Sequence, residues 1–460
     1  MSLWTADAIA EAAGGEVRGA FAATGVTFDS REVGAGDLFI ALTGEATDGH
    51  RFLDGAFGNG AAGAIVSQPV PHPAVLVADT MAALEALGRA ARARTDARVI
   101  GVTGSVGKTG TKEALAAALD RAAAGAVHWS VKSYNNHTGV PLSLARMPAA
   151  TRYGVFEMGM NHAGELTALA AMVRPDVAII TAIAPAHTAF FTGEEAIADA
   201  KAEIFNGLEP GGTAILPFDS PHYERLRAAA ERHAACIVTF GLGEGADVRA
   251  LETMRLASGG SYVLAQIGAR TLSYTIAQPG EHWVSNSLAV LAAVDAVGGD
   301  LGRAGLALAD MGGLPGRGAR VTTAVAGGTA LVIDESYNAN PSSMSATLKV
   351  LAAEPGRHLA VLGGMRELGE ESDAFHAALA EPIGEAGLAH VILVGAEMLP
   401  LAQALEGRTD FVHVPDAGAA GVALAGVLAP GDVVLVKGSN GIGLSAVVAG
   451  LAQAIPAGVA

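Results

Sequence analysis

The run Arg98-Val-Ile-Gly-Val-Thr-Gly-Ser-Val-Gly-Lys-Thr109 opens with a short aliphatic stretch, passes through a glycine-rich turn and leads into residues with helical spacing. Residues 99–102 read as a buried strand, and a helix starts around Thr109 and continues through Lys112, Leu115 and Leu119. Strand, glycine turn and helix in that order form a phosphate loop. Gly104 and Gly107 let backbone N–H groups converge on a phosphate at the helix N-terminus, with Ser105 and Gly110 in the same turn. Lys108 adds a point charge, and the Thr109 hydroxyl can serve as a Mg2+ ligand. The longer form of the motif has glycine six residues before the lysine. Val102 stands there, so the loop is the short form, Gly-x-x-Gly-Lys-Thr.

Working outward, the same alternation of aliphatic run, glycine turn and alanine-rich helical stretch recurs along the chain, as expected of βαβ units and parallel sheet. Strands are expected at 153–156, 177–183, 213–216 and 236–240, then at 331–333, 359–362, 391–394 and 433–436. An earlier, smaller set lies at 38–42, 64–66 and 75–77, and it closes with a helical stretch at 81–94. The glycine-rich segment 311–318 interrupts helix and strand alike. The predicted fold is α/β with three domains: a small N-terminal domain (1–94), a central phosphate-loop parallel-sheet ATPase domain (95–313) and a C-terminal Rossmann-like domain (314–460).

With 51% hydrophobic and 16% charged residues over 460 positions, the chain has the composition of a folded protein. Its 46 acidic and 29 basic residues give −17, a balance that repels nucleic-acid backbones and anionic lipid surfaces. Neither a nucleic acid nor a membrane is an expected partner. The most apolar long stretch, 417–436, is broken by Pro430, Gly431 and Asp432, which argues against a span. The N-terminus does not read as a secretory signal. A single cysteine, Cys236, set in an apolar run, cannot form an internal disulfide, which fits a reducing cytoplasm. A monomer is expected.

Three further residues carry chemistry. Glu157 follows one expected strand and His187 another, so both side chains fall at the carboxyl ends of strands, facing the same crevice as the phosphate loop. Together they can bind a divalent metal beside a nucleotide, although each alone reads equally well as a structural side chain. Lys201 lies on the expected helix 194–208, four residues after Ile197 and three before Ile204, and so points inward with the apolar stripe. Burial favours the neutral amine, and that is the form able to react with CO2 to give a carbamate. Snorkelling along the stripe is the alternative.

At this point the sequence resembles the Mur ligases of peptidoglycan precursor synthesis, over nearly the whole chain. The resemblance rests on Asp-Ser-Arg31, Gly-Asp-Leu-Phe-Ile-Ala-Leu-Thr-Gly44, Tyr-Asn-Asn-His-Thr-Gly-Val-Pro141, Glu-Met-Gly-Met-Asn-His162 and Pro-Ala-His187. It continues through Asp-Ala-Lys-Ala-Glu-Ile-Phe205, Gly-Glu-His-Trp-Val-Ser-Asn-Ser287, Pro-Gly-Arg317, Asp-Glu-Ser-Tyr-Asn-Ala-Asn-Pro341, Gly-Gly-Met-Arg-Glu-Leu-Gly369 and Val-Lys-Gly-Ser439. It implies an ATP- and Mg2+-dependent ligase that adds D-Ala-D-Ala to UDP-MurNAc-tripeptide, with addition of another amino acid or amine as the alternative. The first domain would hold the UDP end near Ser30 and Arg31, and Asn135, Asn136 and His162 would lie along the precursor. Metal ligands would be Thr109, Glu157, His187 and a carbamylated Lys201. Lys108, Lys201 and His187 would be catalytic. His282 and Asn286 would lie near adenine, while Arg317, Asp334, Tyr337 and Asn338 would close the third domain over ATP. His137, Thr188, Ala189 and Gly364 depart from the family pattern. A nucleotide-dependent switch or scaffold protein is the rival from another class, and it leaves the inward Lys201 unexplained.

Overall fold

Val99, Ile100 and Val102 are fully buried, and the strand that carries them, Arg98–Thr103, lies well inside a nine-stranded sheet. The computed structural model describes residues 2–44, 47–185 and 188–452. Across the sheet the strands run Arg270–Ile276, Ser261–Ile267, Val248–Arg255, Cys236–Gly241, Thr213–Pro217, Val177–Ile180, Arg98–Thr103, Tyr153–Glu157 and Val127–Trp129. All pairings are parallel except the two at the Arg270 edge. From Arg98–Thr103 the chain builds first toward Val127–Trp129 and then, from Val177 on, toward the opposite edge. The strand order therefore reverses at Arg98–Thr103, and ligands gather beyond the carboxyl ends of strands at such a reversal.

Alternation along the strands feeds a core on each face. Val155 packs beneath the helices Lys108–Asp120 and Glu281–Ala296, while Phe156 packs beneath Glu165–Val173 and Glu194–Ala202. Burying a side chain the size of Phe156 stabilises the sheet by about 1.5–3 kcal/mol.

A five-stranded sheet lies within residues 16–76 and a six-stranded one within residues 319–437. Both are parallel except for one antiparallel edge pair each. Among the described residues no sheet crosses 94/95 or 313/314. The first domain is tied to the second by Trp4 Nε1 donating to the Ala145 carbonyl (2.8 Å) and by Arg146 Nε donating to that of Val26 (2.5 Å). The third is tied to the second by Arg255 on Glu354 (3.2 Å), a carboxylate that Arg320 also holds, and by Thr188 Oγ1 donating to the Leu368 carbonyl (3.0 Å).

Several expectations need correction. The strand expected at 177–183 ends at Ile180, because Thr181 turns its hydroxyl back onto the Val106 carbonyl (2.5 Å). The helix expected at 194–208 is α-helical over Glu194–Ala202 and tightens to a 3-10 turn over Glu203–Gly207. Cys236, at the start of its strand, is exposed. The pairs formed by Val248–Arg255, Ser261–Ile267 and Arg270–Ile276 were not expected from the sequence.

Candidate active site

The phosphate loop depends on two glycines with positive φ. At Gly104 (φ 149°) a Cβ would fall 1.9 Å from Thr181 Oγ1, and at Gly107 (φ 84°) 2.9 Å from the Asn286 side chain. Only glycine fits such close approaches in these conformations. The turn is fastened to the neighbouring strand end by Ser105 N donating to the Ala182 carbonyl (2.8 Å) and Ala184 N donating to Ser105 Oγ (3.1 Å). Lys108 Nζ folds back to the Gly104 carbonyl (2.7 Å). Its recessed position lowers its pKa, an effect opposed by Glu157 and reinforced by Arg317.

Beyond Lys108, the buried Thr109 donates its hydroxyl to Glu157 Oε2 (2.9 Å). Glu157 is the last residue of its strand and 1% exposed, and its other oxygen accepts from Asn135 Nδ2 (2.7 Å). Ser133 Oγ lies 3.4 Å from Thr109 Oγ1 and accepts from an Arg317 N–H (3.2 Å), which brings the third domain to the phosphate loop. Arg317 stacks on the Tyr337 ring, 4.2 Å from its centroid. Asp334 is buried beneath this turn and accepts from Gly316 N (2.7 Å) and from the Ser336 hydroxyl (2.6 Å), so it builds the platform for Arg317. Lys437, also buried, donates to the Asn338 carbonyl (3.0 Å). The Asn340-Pro341 end of the Tyr-Asn-Ala-Asn-Pro segment has a structural purpose. Asn340 caps the helix Pro341–Ala352 through a reciprocal pair with Ser343, and Pro341 starts it.

Lys201 is fully buried, and its Nζ has no hydrogen-bond partner among the described residues. Burial, aided by the charge on Lys108, holds its ammonium well below the ordinary 10.5. An orphaned amine costs free energy unless something further engages it. Together with the Thr109–Glu157 pair, it fits a divalent cation held by a hydroxyl, a carboxylate and a carbamate. Among the described residues no three His, Cys, Asp or Glu side chains converge, here or elsewhere, so Glu157 is the one carboxylate of this set. His187 lies outside the described residues.

The other expected residues are placed as follows. Asn286 is buried against Gly107, and Trp283, from the same helix, sits over Gly110. His282 lines a cleft of about 710 Å³ with Pro279, Ser285, Ser345 and Lys349. Asn136 uses its side-chain oxygen locally, accepting from Gly139 N (2.9 Å). His162 is exposed, 3.1 Å from Glu165 Oε1, with its ring against Phe190. Arg31 grips Asp29, whose carboxyl its hydrogen bond pulls down to about 2. Asn59 Nδ2 donates to the Ser30 carbonyl (3.0 Å). Among the described residues no hydrogen bond joins Ser30 or Arg31 to the phosphate loop. The link between them is indirect, through the ion pair of Glu32 with Lys132 and the contact of Phe28 with Tyr134. The sequence reading missed Ser133 and Thr181, which carry no charge or motif signal. It also passed over Lys112, whose place on the apolar stripe was visible in the spacing.

Fold and site together define a three-domain, phosphate-loop, nucleotide-dependent enzyme. Three family descriptions match in chain order: Mur ligase family, catalytic domain (residues 22–99), Mur ligase middle domain (102–294) and Mur ligase, glutamate ligase domain (316–440). The chain is 33% identical, over 95% of its length and 96% of the relative's, to the UDP-N-acetylmuramoyl-tripeptide–D-alanyl-D-alanine ligase of Escherichia coli. It is 35% identical to that of Synechocystis, over 94% and 92%. The crystal structure of MurF from Acinetobacter baumannii superposes with a TM-score of 0.84 at 33% identity, covering 98% of this chain and 99% of that one. The MurF ligase of Thermotoga maritima in complex with ADP gives 0.77 at 27%, covering 94% and 97%. The chain belongs to the Mur ligase family.

Proposed function

We propose that this chain is an ATP-dependent ligase that joins the terminal carboxylate of UDP-N-acetylmuramoyl-tripeptide to the amine of D-alanyl-D-alanine, giving the pentapeptide precursor of peptidoglycan, ADP and phosphate. The observation that carries this reading is the convergence of Thr109, Glu157, Ser133 and Arg317, from two domains, beside a glycine loop and a buried unpartnered amine. The relatives' shared activity supplies the substrates.

A carboxylate is a poor acyl electrophile, so it must be activated before an amine can displace an oxygen from it. Phosphoryl transfer from ATP gives an acyl phosphate, the amine adds through a tetrahedral intermediate, and phosphate leaves. Catalysis of this kind is positioning plus electrostatics. The backbone of residues 104–109 cradles the phosphates, Lys108 turns from the Gly104 carbonyl toward the transferring group, and Arg317 brings a second positive charge from the third domain. Thr109, Glu157 and a carbamylated Lys201, with His187, would hold Mg2+, which supplies charge neutralisation on phosphate oxygens when bound. Asn135 fixes the orientation of Glu157. The first domain binds the UDP end around Ser30 and Arg31, with Asn136 and His162 along the precursor. His282 and Asn286 flank the base, while Asp334, Tyr337 and Asn338 shape the third-domain wall. Domain boundaries fall near 94 and 313.

None of the described helices is long and apolar enough to cross a membrane. We place the enzyme in the cytoplasm as a monomer acting on small molecules. The test is ADP release with each component omitted in turn and with a panel of other amines. Release that requires both the tripeptide and D-Ala-D-Ala supports the proposal, and release that is indifferent to the amine refutes it.

A further inference from the structure

We propose that Lys112 is a positioning residue of this reaction: from behind the site it locks the loop 130–133 so that Ser133 bridges the phosphate-loop hydroxyl of Thr109 and the third-domain Arg317. The inference rests on the ligase reading above and adds a residue that touches no reacting group.

Lys112 lies one turn after Lys108 on the helix Lys108–Asp120, on the face that packs against the sheet, and it is 0% exposed. A lysine ordinarily keeps its ammonium in water. Here the ammonium donates to the Ser130 carbonyl (2.7 Å) and the Lys132 carbonyl (2.8 Å) and is ion-paired with Glu113 Oε1 (2.5 Å). Such an arrangement is a poor way to gain stability, since an apolar side chain of similar volume would avoid the desolvation of the ion pair. What it provides is geometry. Two carbonyls two residues apart are clamped to one point, and the residue whose carbonyl is the second of them, Lys132, has φ 55°, a conformation a non-glycine residue keeps only where its surroundings enforce it.

The clamped loop meets the site at three places. Glu157 N donates to Ser130 Oγ (3.2 Å), which fixes the strand end that carries the carboxylate. Ser133 Oγ stands between Thr109 Oγ1 (3.4 Å) and Arg317 (3.2 Å). Asn135, two residues on, donates to Glu157 Oε1 (2.7 Å). Thr188 on Leu368, Ala189 on Glu367 and the Arg255–Glu354 pair join the third domain to the second elsewhere; the Ser133–Arg317 bond joins them at the phosphate loop. Releasing the two carbonyls frees Lys132 to relax and moves Ser133 away from both partners. A misplacement on the scale of 1 Å at such a site lowers turnover by as much as about 100-fold.

The experiment compares Lys112→Gln, Ser133→Ala and the double variant in the full-length enzyme. Measurements are kcat, the KM for each substrate and the thermal midpoint, made after the wild type has shown ADP release that needs both substrates. Ser133→Ala is expected to lower kcat about fivefold to tenfold with an unchanged midpoint, and Lys112→Gln by about 10- to 100-fold with the KM for the UDP precursor within twofold. Because both act through one bridge, the double variant should lose no more than Lys112→Gln alone. Losses that multiply, or a kcat loss in Lys112→Gln that is recovered when the assay temperature is lowered in step with its midpoint, would overturn the proposal. So would Ser133→Ala with wild-type kcat, a result that decides the matter even if Lys112→Gln does not fold. A wild type that releases no ADP would refute the ligase reading itself, an outcome distinct from all of these.

Discussion

Replacing Lys201 with methionine should make the protein more stable and inactive at once. The wild-type side chain is fully buried between Ile197 and Ile204, and its Nζ is unpaired. Methionine matches its length and removes the orphaned donor, a gain of about 1–3 kcal/mol. For a domain of this size that is a rise of roughly 2–10 °C in the melting midpoint. The sign with pH follows from the lowered pKa. Between the depressed folded-state value and the ordinary 10.5 the unfolded chain binds a proton that the folded one does not, so wild-type stability rises with pH and is lowest on the acid side. The advantage of Lys201→Met is therefore largest near neutrality and shrinks as pH approaches 10.5. The assay is thermal unfolding in carbonate-free, Mg2+-free buffer across that range, with ADP release measured on the same preparations. If the amine has no part in the reaction, the variant turns over normally, and that single result refutes the reasoning.

Other perturbations have defined outcomes. Gly104→Ala places a methyl 1.9 Å from Thr181 Oγ1 at φ 149°, and calorimetry should show nucleotide binding weakened by more than about tenfold, with strain of about 1–3 kcal/mol read in the midpoint. Glu157→Gln keeps a partner for Asn135 but removes the charge facing Thr109, and initial rates should fall about 100-fold, with a higher Mg2+ requirement. His128 is held near pKa 4, chiefly by burial, and its ring shares a 2.7 Å hydrogen bond with the Ser143 carbonyl. Between its ordinary 6.5 and about 4 the unfolded state takes up a proton that the folded state refuses, so stability falls with acidity by up to about 3 kcal/mol. Denaturant midpoints of His128→Gln should lose that slope.

The phosphate loop, the parallel strands around it and the inward face of Lys201 were legible because each rests on local pattern: a glycine turn between an aliphatic run and a helix, or an apolar stripe with a charge set in it. The antiparallel strands Ser261–Ile267 and Arg270–Ile276 were not. Each is partly exposed, with Ser261, Tyr262 and Arg270 among its outward residues, and their pairing is decided by tertiary contact with the helix Glu281–Ala296 rather than by a buried run. Ser133 escaped notice because a hydroxyl gains a role only from the arginine 184 residues later that reaches it. Asp334 was expected beside the nucleotide. The structure shows that it also holds Gly316 and Ser336, a duty that spacing cannot reveal.

The most direct test of the central claim follows oxygen. If the tripeptide carboxylate is enriched in the heavy oxygen isotope and one turnover is run with ATP and D-Ala-D-Ala, carboxylate activation by phosphoryl transfer predicts one labelled oxygen in the released inorganic phosphate, in step with peptide formed. Phosphate that emerges unlabelled while the pentapeptide accumulates would contradict it.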